Sequence, residues 1–502
     1  MHPLLINNGT VFMVKTLLQH QLVLILAVAV VARLGVLLAF PGIFAFDQTG
    51  AVHGSDAYDA YAQNLLATGV YGRTPGVPDA AIPPLYSYAL AGVYGLLGRG
   101  YIQAGLFHIL LDALSITMLY HISKRLLPFH ESDAGVGEGL RPTLAALWAA
   151  LRTLKPDGRT VGLLAGLFYA LYPYLIFQNL TLIDTPFFMT LLFTFLLCMV
   201  LLREREQLDR GAWLLAGLGG LALGFSLLVR PITPPLALFV ALWFLFRRGL
   251  VTSILRLLPV ALVSAAVLLP WIIRNYDVFG AFVPMTTTSG ANFWQGNSEY
   301  TVRYFRAGYD VQWTAPDLTT TDPHSREADA ERFTLAFQFL RENPDKIPEL
   351  LWVKFLIYWS IDITPRLNPV DGQLPRLDYQ GNPIVEEGTG GELELGGLPP
   401  GDPVGAYSSP LFDQIGRTVH RFYWGGLFLI GLVGIVLSWR QWREVSLLWF
   451  AQISMTLVYV AFHPSTRYRV PTDPLWFVFS AYALLWVWHW WMQRRAINAT
   501  TG

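Results

Sequence analysis

Apolar residues run along this chain in blocks too long for the helices of a small soluble core. Ten blocks, at about 20–40, 101–122, 160–178, 184–202, 211–229, 232–246, 252–272, 418–438, 445–463 and 473–491, read as membrane-spanning helices. Two further apolar segments read differently. Residues 83–98 are short, begin with Pro-Pro and are interrupted by glycine, which predicts a juxtamembrane helix; residues 347–361 carry Glu349 and Lys354, which predicts a helix lying in the interface with its tryptophans at headgroup depth. Basic residues cluster after alternate spans: Lys124, Arg125, Arg141, Arg152, Lys155 and Arg159, then Arg203, Arg205 and Arg210, then Arg247 and Arg248, then Arg440 and Arg443, then Arg494 and Arg495. Placing every cluster in the cytoplasm satisfies the positive-inside rule, and puts the two longest polar stretches, about 41–100 and 273–417, on the outer face. The expected architecture is an all-α polytopic membrane protein of about ten transmembrane helices. It divides into an N-terminal module 1–272 with a first outer loop 41–100, an outer region 273–417, and C-terminal helices 418–502.

Composition agrees with that pattern: of 502 residues, 53% are hydrophobic and 14% charged, and the mean hydropathy is +0.42. A formal net charge of +0 sets aside a nucleic-acid partner. The single cysteine, Cys198, sits in an apolar span, excludes an intrachain disulfide framework and reads as a packing residue. The N-terminal run is long for a signal peptide and reads as an uncleaved anchor; its Arg33 is expected to pair with a carboxylate or carbonyl inside the bundle. The chain has no phosphate-binding P-loop, no Gly-rich dinucleotide fingerprint, no Asp-x-Asp pair, no His-Glu-x-x-His and no Gly-x-Ser-x-Gly. Soluble nucleotide donors are therefore disfavoured, and no compelling metal-ligand cluster stands out. The Gly217–Gly224 cluster reads as a close helix-packing stripe.

Four arginines break the positive-inside rule. Arg230, Arg274, Arg467 and Arg469 lie at the outer ends of spans, where guanidiniums can clamp an anion by forked hydrogen bonds. The plainer account of Arg230 and Arg274 is snorkelling or helix capping, whereas Arg467 and Arg469, two guanidiniums around Tyr468, are harder to dismiss. In the first outer loop, Gly54-Ser55-Asp56-Ala57-Tyr58-Asp59 opens an amphipathic helix on which Tyr58, Ala62 and Leu65 share a face. Asp56 is either an N-cap or a general base at the membrane surface, and local sequence does not choose. Asp184, before Thr185-Pro186, has the same two readings, cap or site residue. His463, beside Pro464 and the Arg467-Tyr468-Arg469 block, is a further candidate for a lipid phosphate.

Together these stretches resemble a known group. The GSDAYDAYAQNLL loop, Tyr86 in Pro83-Pro84-Leu85-Tyr86, the Leu171-Tyr172-Pro173 turn leading to Asp184-Thr185, Arg230-Pro231, residues 270–297 (PWIIRNYDVFG to TTTSGANFWQGN), the block around Asp329-Ala330-Glu331-Arg332, and RYRVPTDPLW at 467–476 resemble glycosyltransferase family 39. That group of GT-C integral membrane enzymes includes the protein O-mannosyltransferases and, more distantly, the lipid A aminoarabinose transferase. The resemblance implies a GT-C bundle with outer juxtamembrane helices and a polyprenyl-phosphate sugar as donor. It places the first-loop acid on Asp56, with Asp59 or Asp47 as alternative counterparts. The aminoarabinose transferases carry a lysine before Pro-Pro where this chain has Ile82, so the arginines become the better phosphate ligands.

The implied reaction is transfer with inversion to an acceptor protein, lipid or glycan, with one aspartate base and arginines on the departing phosphate. Trp294 would offer a sugar-binding face, with Asn297 beside it. No cofactor beyond the lipid-linked donor is certain, and divalent-metal dependence is left open. The expected location is the plasma membrane, with the site facing outward. A lipid-linked saccharide polymerase or ligase is the second reading and a lipid-sugar transporter the third.

Overall fold

The structure, a computed structural model, describes residues 20–44, 55–127, 156–367, 374–382, 384 and 410–501. These fold into helices and turns; among the described residues the β structure is limited to isolated bridge positions, Tyr309 pairing with Leu367 among them. In chain order the helices used below are α1 (Gln21–Ala39), α2 (Ser55–Thr68), α3 (Leu85–Leu97), α4 (Tyr101–Leu126), α5 (Gly158–Ala170), α6 (Pro173–Gln178), α7 (Thr185–Glu204), α8 (Arg210–Val229), α9 (Pro234–Leu245) and α10 (Leu250–Phe279). They continue as α11 (Ser289–Gln295), α12 (Glu299–Ala307), α13 (Arg326–Glu342), α14 (Ile347–Tyr358), α15 (Pro410–Leu437), α16 (Trp442–Ala461), α17 (Thr466–Arg469) and α18 (Asp473–Thr501).

Seven of these helices are long and apolar enough to cross a membrane, which makes the chain a multi-pass membrane protein. The ten-span expectation differs at three places. The segment 160–178 splits in two because Tyr172, extended at φ −68° and ψ 108° ahead of Pro173, cannot continue α5. The segment 232–246 gives a 12-residue helix, about 18 Å long against a hydrocarbon core of about 30 Å. The segment 473–491 is continuous within the 29-residue α18, whose tryptophan-rich sequence leaves it outside the seven. The two demoted segments are short helices, α3 of 13 residues and α14 of 12. Helix α10 runs on to Phe279 and α15 begins at Pro410.

Packing follows the small residues and the aromatic rows. Helix α8 lies along α10 where Gly220 and Gly224 permit it: a Cβ at Gly220 would stand 2.7 Å from the Val260 carbonyl oxygen, and one at Gly224 would stand 2.7 Å from the Val267 Cβ. Gly217 faces open space, so only part of the predicted stripe is used. Helices α4, α5, α7 and α18 surround a core containing Tyr169, Phe188, Leu192 and Phe477. Inside it Arg33 meets both expected partners. Its Nε donates to Asp112 and its Nη1 to the Ala170 carbonyl at 3.0 Å, while Tyr169 and Asn179 each donate to Asp112 at 2.7 Å.

The 20 residues of α7 separate the two ends of the bundle by about 30 Å. One end gathers the basic clusters with their carboxylates: Arg125 with Glu204, Arg203 with Glu444 and Arg248 with Glu206. The other carries Asp184, α2, α3 and the chain from 280 to 367.

Candidate functional site

Asp157 and Asp209 cap α5 and α8, each with side-chain oxygens accepting backbone N–H groups of the first turn. Asp184 stands at the same position before α7 and caps nothing. Its two oxygens instead accept Arg230 Nε at 2.7 Å and Nη2 at 2.6 Å, and Arg230 Nη2 also reaches the Thr185 hydroxyl at 2.7 Å. Both side chains are buried, and the guanidinium lies over the Phe188 ring. Arg230 Nη1 is buried and has no partner among the described residues.

A second arginine lies within electrostatic reach of the first. Arg467, in the short helix α17, is half-buried and pairs with no carboxylate among the described residues. Its Nη2 donates to the Tyr468 hydroxyl at 3.2 Å, and its buried Nε has no partner. Tyr468 stacks on Tyr459 at 4.7 Å, and His463 meets Tyr468 edge-on at 5.3 Å. Burial, opposed by the Asp310 carboxylate, pushes the His463 imidazole below its ordinary range. Its Nδ1 lies 3.4 Å from the Asn292 carbonyl oxygen.

Tyr58 joins the two arginines to α2. Burial, with the Asp184 charge behind it, raises its phenol, while Arg230 and Arg467 oppose the rise; all four groups lie within electrostatic reach of one another. Its ring meets Tyr86 edge-on at 4.8 Å, and the Tyr86 hydroxyl is 2.8 Å from His108 Nε2. Tyr86 is thus a fully buried support for Tyr58. Two guanidiniums against one carboxylate leave the described site with an excess of positive charge and two unpaired N–H groups, a combination suited to an anion.

The remaining candidates are placed differently. Asp56 lies in the first turn of α2, two residues before Tyr58, and its side chain is outside the described residues, as is Asp47. Asp59 is held as a structural anion: it accepts Tyr94 at 2.9 Å, Gln63 at 2.7 Å and Arg99 at 2.8 Å. Arg274 donates to the carbonyls of Asp79 at 2.7 Å and Tyr71 at 2.8 Å, so it ties α10 to the loop after α2. Arg469 is fully buried between Asp473, the Tyr358 and Ser360 carbonyls and the Trp424 ring. Arg274 and Arg469 thus spend their guanidinium donors on protein acceptors. Trp294, expected to present a sugar platform, is buried against Tyr300. The Asn297 amide is consumed by Lys354 and by the Phe293 and Ala461 carbonyls.

Tyr58 and Tyr468 are the site residues that sequence reasoning missed; the only signal was their position beside a candidate acid and a candidate arginine. Among the described residues no group of three or more His, Cys, Asp or Glu side chains could hold a metal.

Solved structures of similar shape exist. The chain is similar to the oligosaccharyltransferase AglB from Archaeoglobus fulgidus, solved with an inhibitory peptide and a dolichol-phosphate: TM-score 0.49, 12% identity, over 96% of this chain and 52% of that one. It is also similar to ArnT from Cupriavidus metallidurans bound to undecaprenyl phosphate: TM-score 0.37, 14% identity, over 93% of this chain and 77% of that one. Both are membrane glycosyltransferases of the GT-C group. The chain spans about half the length of the GT-C oligosaccharyltransferase. No family model matches it, and no curated protein does.

Proposed function

We propose that this chain is a membrane glycosyltransferase that takes a sugar from a polyprenyl-phosphate donor and passes it to an acceptor on the outer face of the membrane. The observation that carries the reading is the pair of buried guanidinium nitrogens without a partner among the described residues, Arg230 Nη1 and Arg467 Nε, on two arginines within electrostatic reach of each other and of Tyr58. A phosphate monoester leaving a sugar carbon gains negative charge as the bond breaks, and preorganised N–H donors stabilise that change. Asp184 keeps Arg230 oriented without using the Nη1 donor.

The acceptor needs one base. Asp59 is saturated by Arg99, Tyr94 and Gln63, which leaves Asp56, at the start of the helix that carries Tyr58, as the carboxylate for that role. The acceptor's proton passes to Asp56, the new bond forms opposite the departing phosphate, and the sugar carbon inverts. A phosphate leaves without a strong general acid, in contrast to the carboxylate pair of hydrolytic glycosidases.

The test uses purified protein in lipid with a panel of polyprenyl-phosphate sugars and polyprenyl-diphosphate saccharides, following release of the lipid phosphate. Release by wild type that collapses in Asp56→Asn, with donor binding retained, supports the transferase and its base. Release only from diphosphate-linked saccharides moves the reading to a saccharide ligase, and no release from any donor overturns it.

A further inference from the structure

Lys354, one of two charges that mark 347–361 as an interfacial helix in the sequence, is completely buried in the structure. Its ammonium donates to Asn297 Oδ1 at 3.0 Å and to the carbonyl oxygens of Ala461 and Phe462 at 3.3 Å each. No carboxylate pairs with it among the described residues. Ala461 ends α16, so the ammonium sits on the carbonyl end of that helix, where a cation is favoured by the helix dipole.

The same turn is gripped from a second side. Gly296 rests on the Phe462–His463 peptide so closely that a Cβ there would stand 1.8 Å from the Phe462 oxygen, and Asn297 Nδ2 donates to the Ala461 carbonyl at 2.8 Å. Residues 461–467, between α16 and the arginine of α17, are therefore seated on α14 and on the α11–α12 connection.

We propose that Lys354 is a positioning residue whose ammonium holds the His463–Arg467 arm in place, so that the helices beyond the bundle set where the Arg467 guanidinium stands. Naming Arg467 as the anion-facing group rests on the proposed function; the latch itself does not. The elements packed on α14 are α16, α12, the Pro344–Lys346 turn and α17. The charged and titratable groups on that side are His463 with Asp310 behind it, Arg467 and Arg469 of α17, Arg306 paired with Glu349, and Asp345 and Lys346 of the turn. None is a carboxylate on the ammonium, and burial alone pushes Lys354 down to about 7.

The consequence has opposite signs locally and globally. A lysine lowered from its ordinary value costs the folded state most below about pH 7, and that penalty fades as pH rises toward 10.5. Over the same window its three hydrogen bonds lose their charge. When the arm lifts while Lys354 stays within the protein, an ammonium would lose its carbonyl acceptors without gaining water, a larger cost than a neutral amine bears; raising the pH therefore loosens the arm while the whole chain grows no less stable.

Hydrogen exchange of peptides covering 458–470, in protein held in lipid and corrected for intrinsic rates, tests this at about pH 6 and about pH 8.5, on either side of the Lys354 value. Wild type is expected to exchange about tenfold faster at the higher pH, with α7 peptides unchanged as the folding control. Lys354→Arg keeps the arm protected at both values, and Lys354→Met loses the difference by exchanging fast at both. Polyprenyl phosphate binding should weaken over the same range in wild type and hold in Lys354→Arg. Arm exchange in wild type that ignores pH overturns the proposal even if Lys354→Met fails to fold; so does a pH response that survives in Lys354→Arg. The exchange difference without any binding of polyprenyl phosphate keeps the latch and refutes the transferase reading instead.

Discussion

Asp184→Ala is expected to destabilise the fold and release the anion-facing arginine in one step. Arg230 is 7% exposed and Asp184 4%, and they share hydrogen bonds of 2.7 and 2.6 Å. Removing one partner of a buried pair costs about 3–5 kcal/mol, because the other charge stays in the interior. In Asp184→Ala the guanidinium retains the Thr185 hydroxyl and the Phe188 ring, with the like charge of Arg467 nearby. Replacing both members, as Asp184→Leu with Arg230→Met, removes the stranded charge and should return stability to within about 1 kcal/mol of wild type. Denaturant or thermal unfolding in lipid reads this as a loss of at least about a hundredfold in the folded-to-unfolded ratio for the single variant, largely restored in the double. A saturating lipid phosphate at about 100 times its dissociation constant should add about 2.7 kcal/mol to wild type and much less to either variant. A single variant within about 1 kcal/mol of wild type, or a double variant as unstable as the single one, would refute the assignment of the pair as the element that orients Arg230.

Further outcomes follow from the same geometry. Arg467→Ala should lower turnover of the proposed reaction by about 10²–10³ with little loss of stability, since its Nε has no partner to abandon; an equal loss of folded protein would make it structural. Asp59→Asn should cost about 1–3 kcal/mol of stability, tempered by the partial exposure of Arg99, whereas Asp56→Asn should cost turnover by about 10²–10⁴, and unfolding curves beside initial rates separate the two. Gly220→Val should lower stability by about 1–3 kcal/mol through overpacking against Val260 and Val263; an unchanged unfolding midpoint would show that α8 and α10 can separate at no cost.

Much of this protein is written in one dimension. Helical class, the short character of α3 and α14, the packing use of Gly220 and Gly224, and the partner expected for Arg33 all follow from local apolarity, breakers and the cost of an unpaired charge among apolar helices. Those are properties of a segment and its solvent, so the segment is sufficient to predict them. The arginines were found by the same logic, because a cation at the wrong end of a span needs a reason wherever it sits.

What each arginine does was decided only when distant segments met. Arg230, Arg274 and Arg469 look equivalent along the chain, yet one is oriented by a carboxylate 46 residues away with a donor left over, one ties a loop, and one is consumed by Asp473 and two carbonyls. Asp184 has the sequence of an N-cap, and becomes the partner of Arg230 because a buried guanidinium competes for its oxygens more strongly than backbone N–H groups do. Lys354 read as a mark of an interfacial helix and is fully buried, because the carbonyl end of α16, about 100 residues on, supplies the oxygens that replace water. The sequence alone therefore determined which residues must find partners. Tertiary structure determined which partners they found, since that choice is made by hydrogen-bond geometry between segments that no local pattern relates.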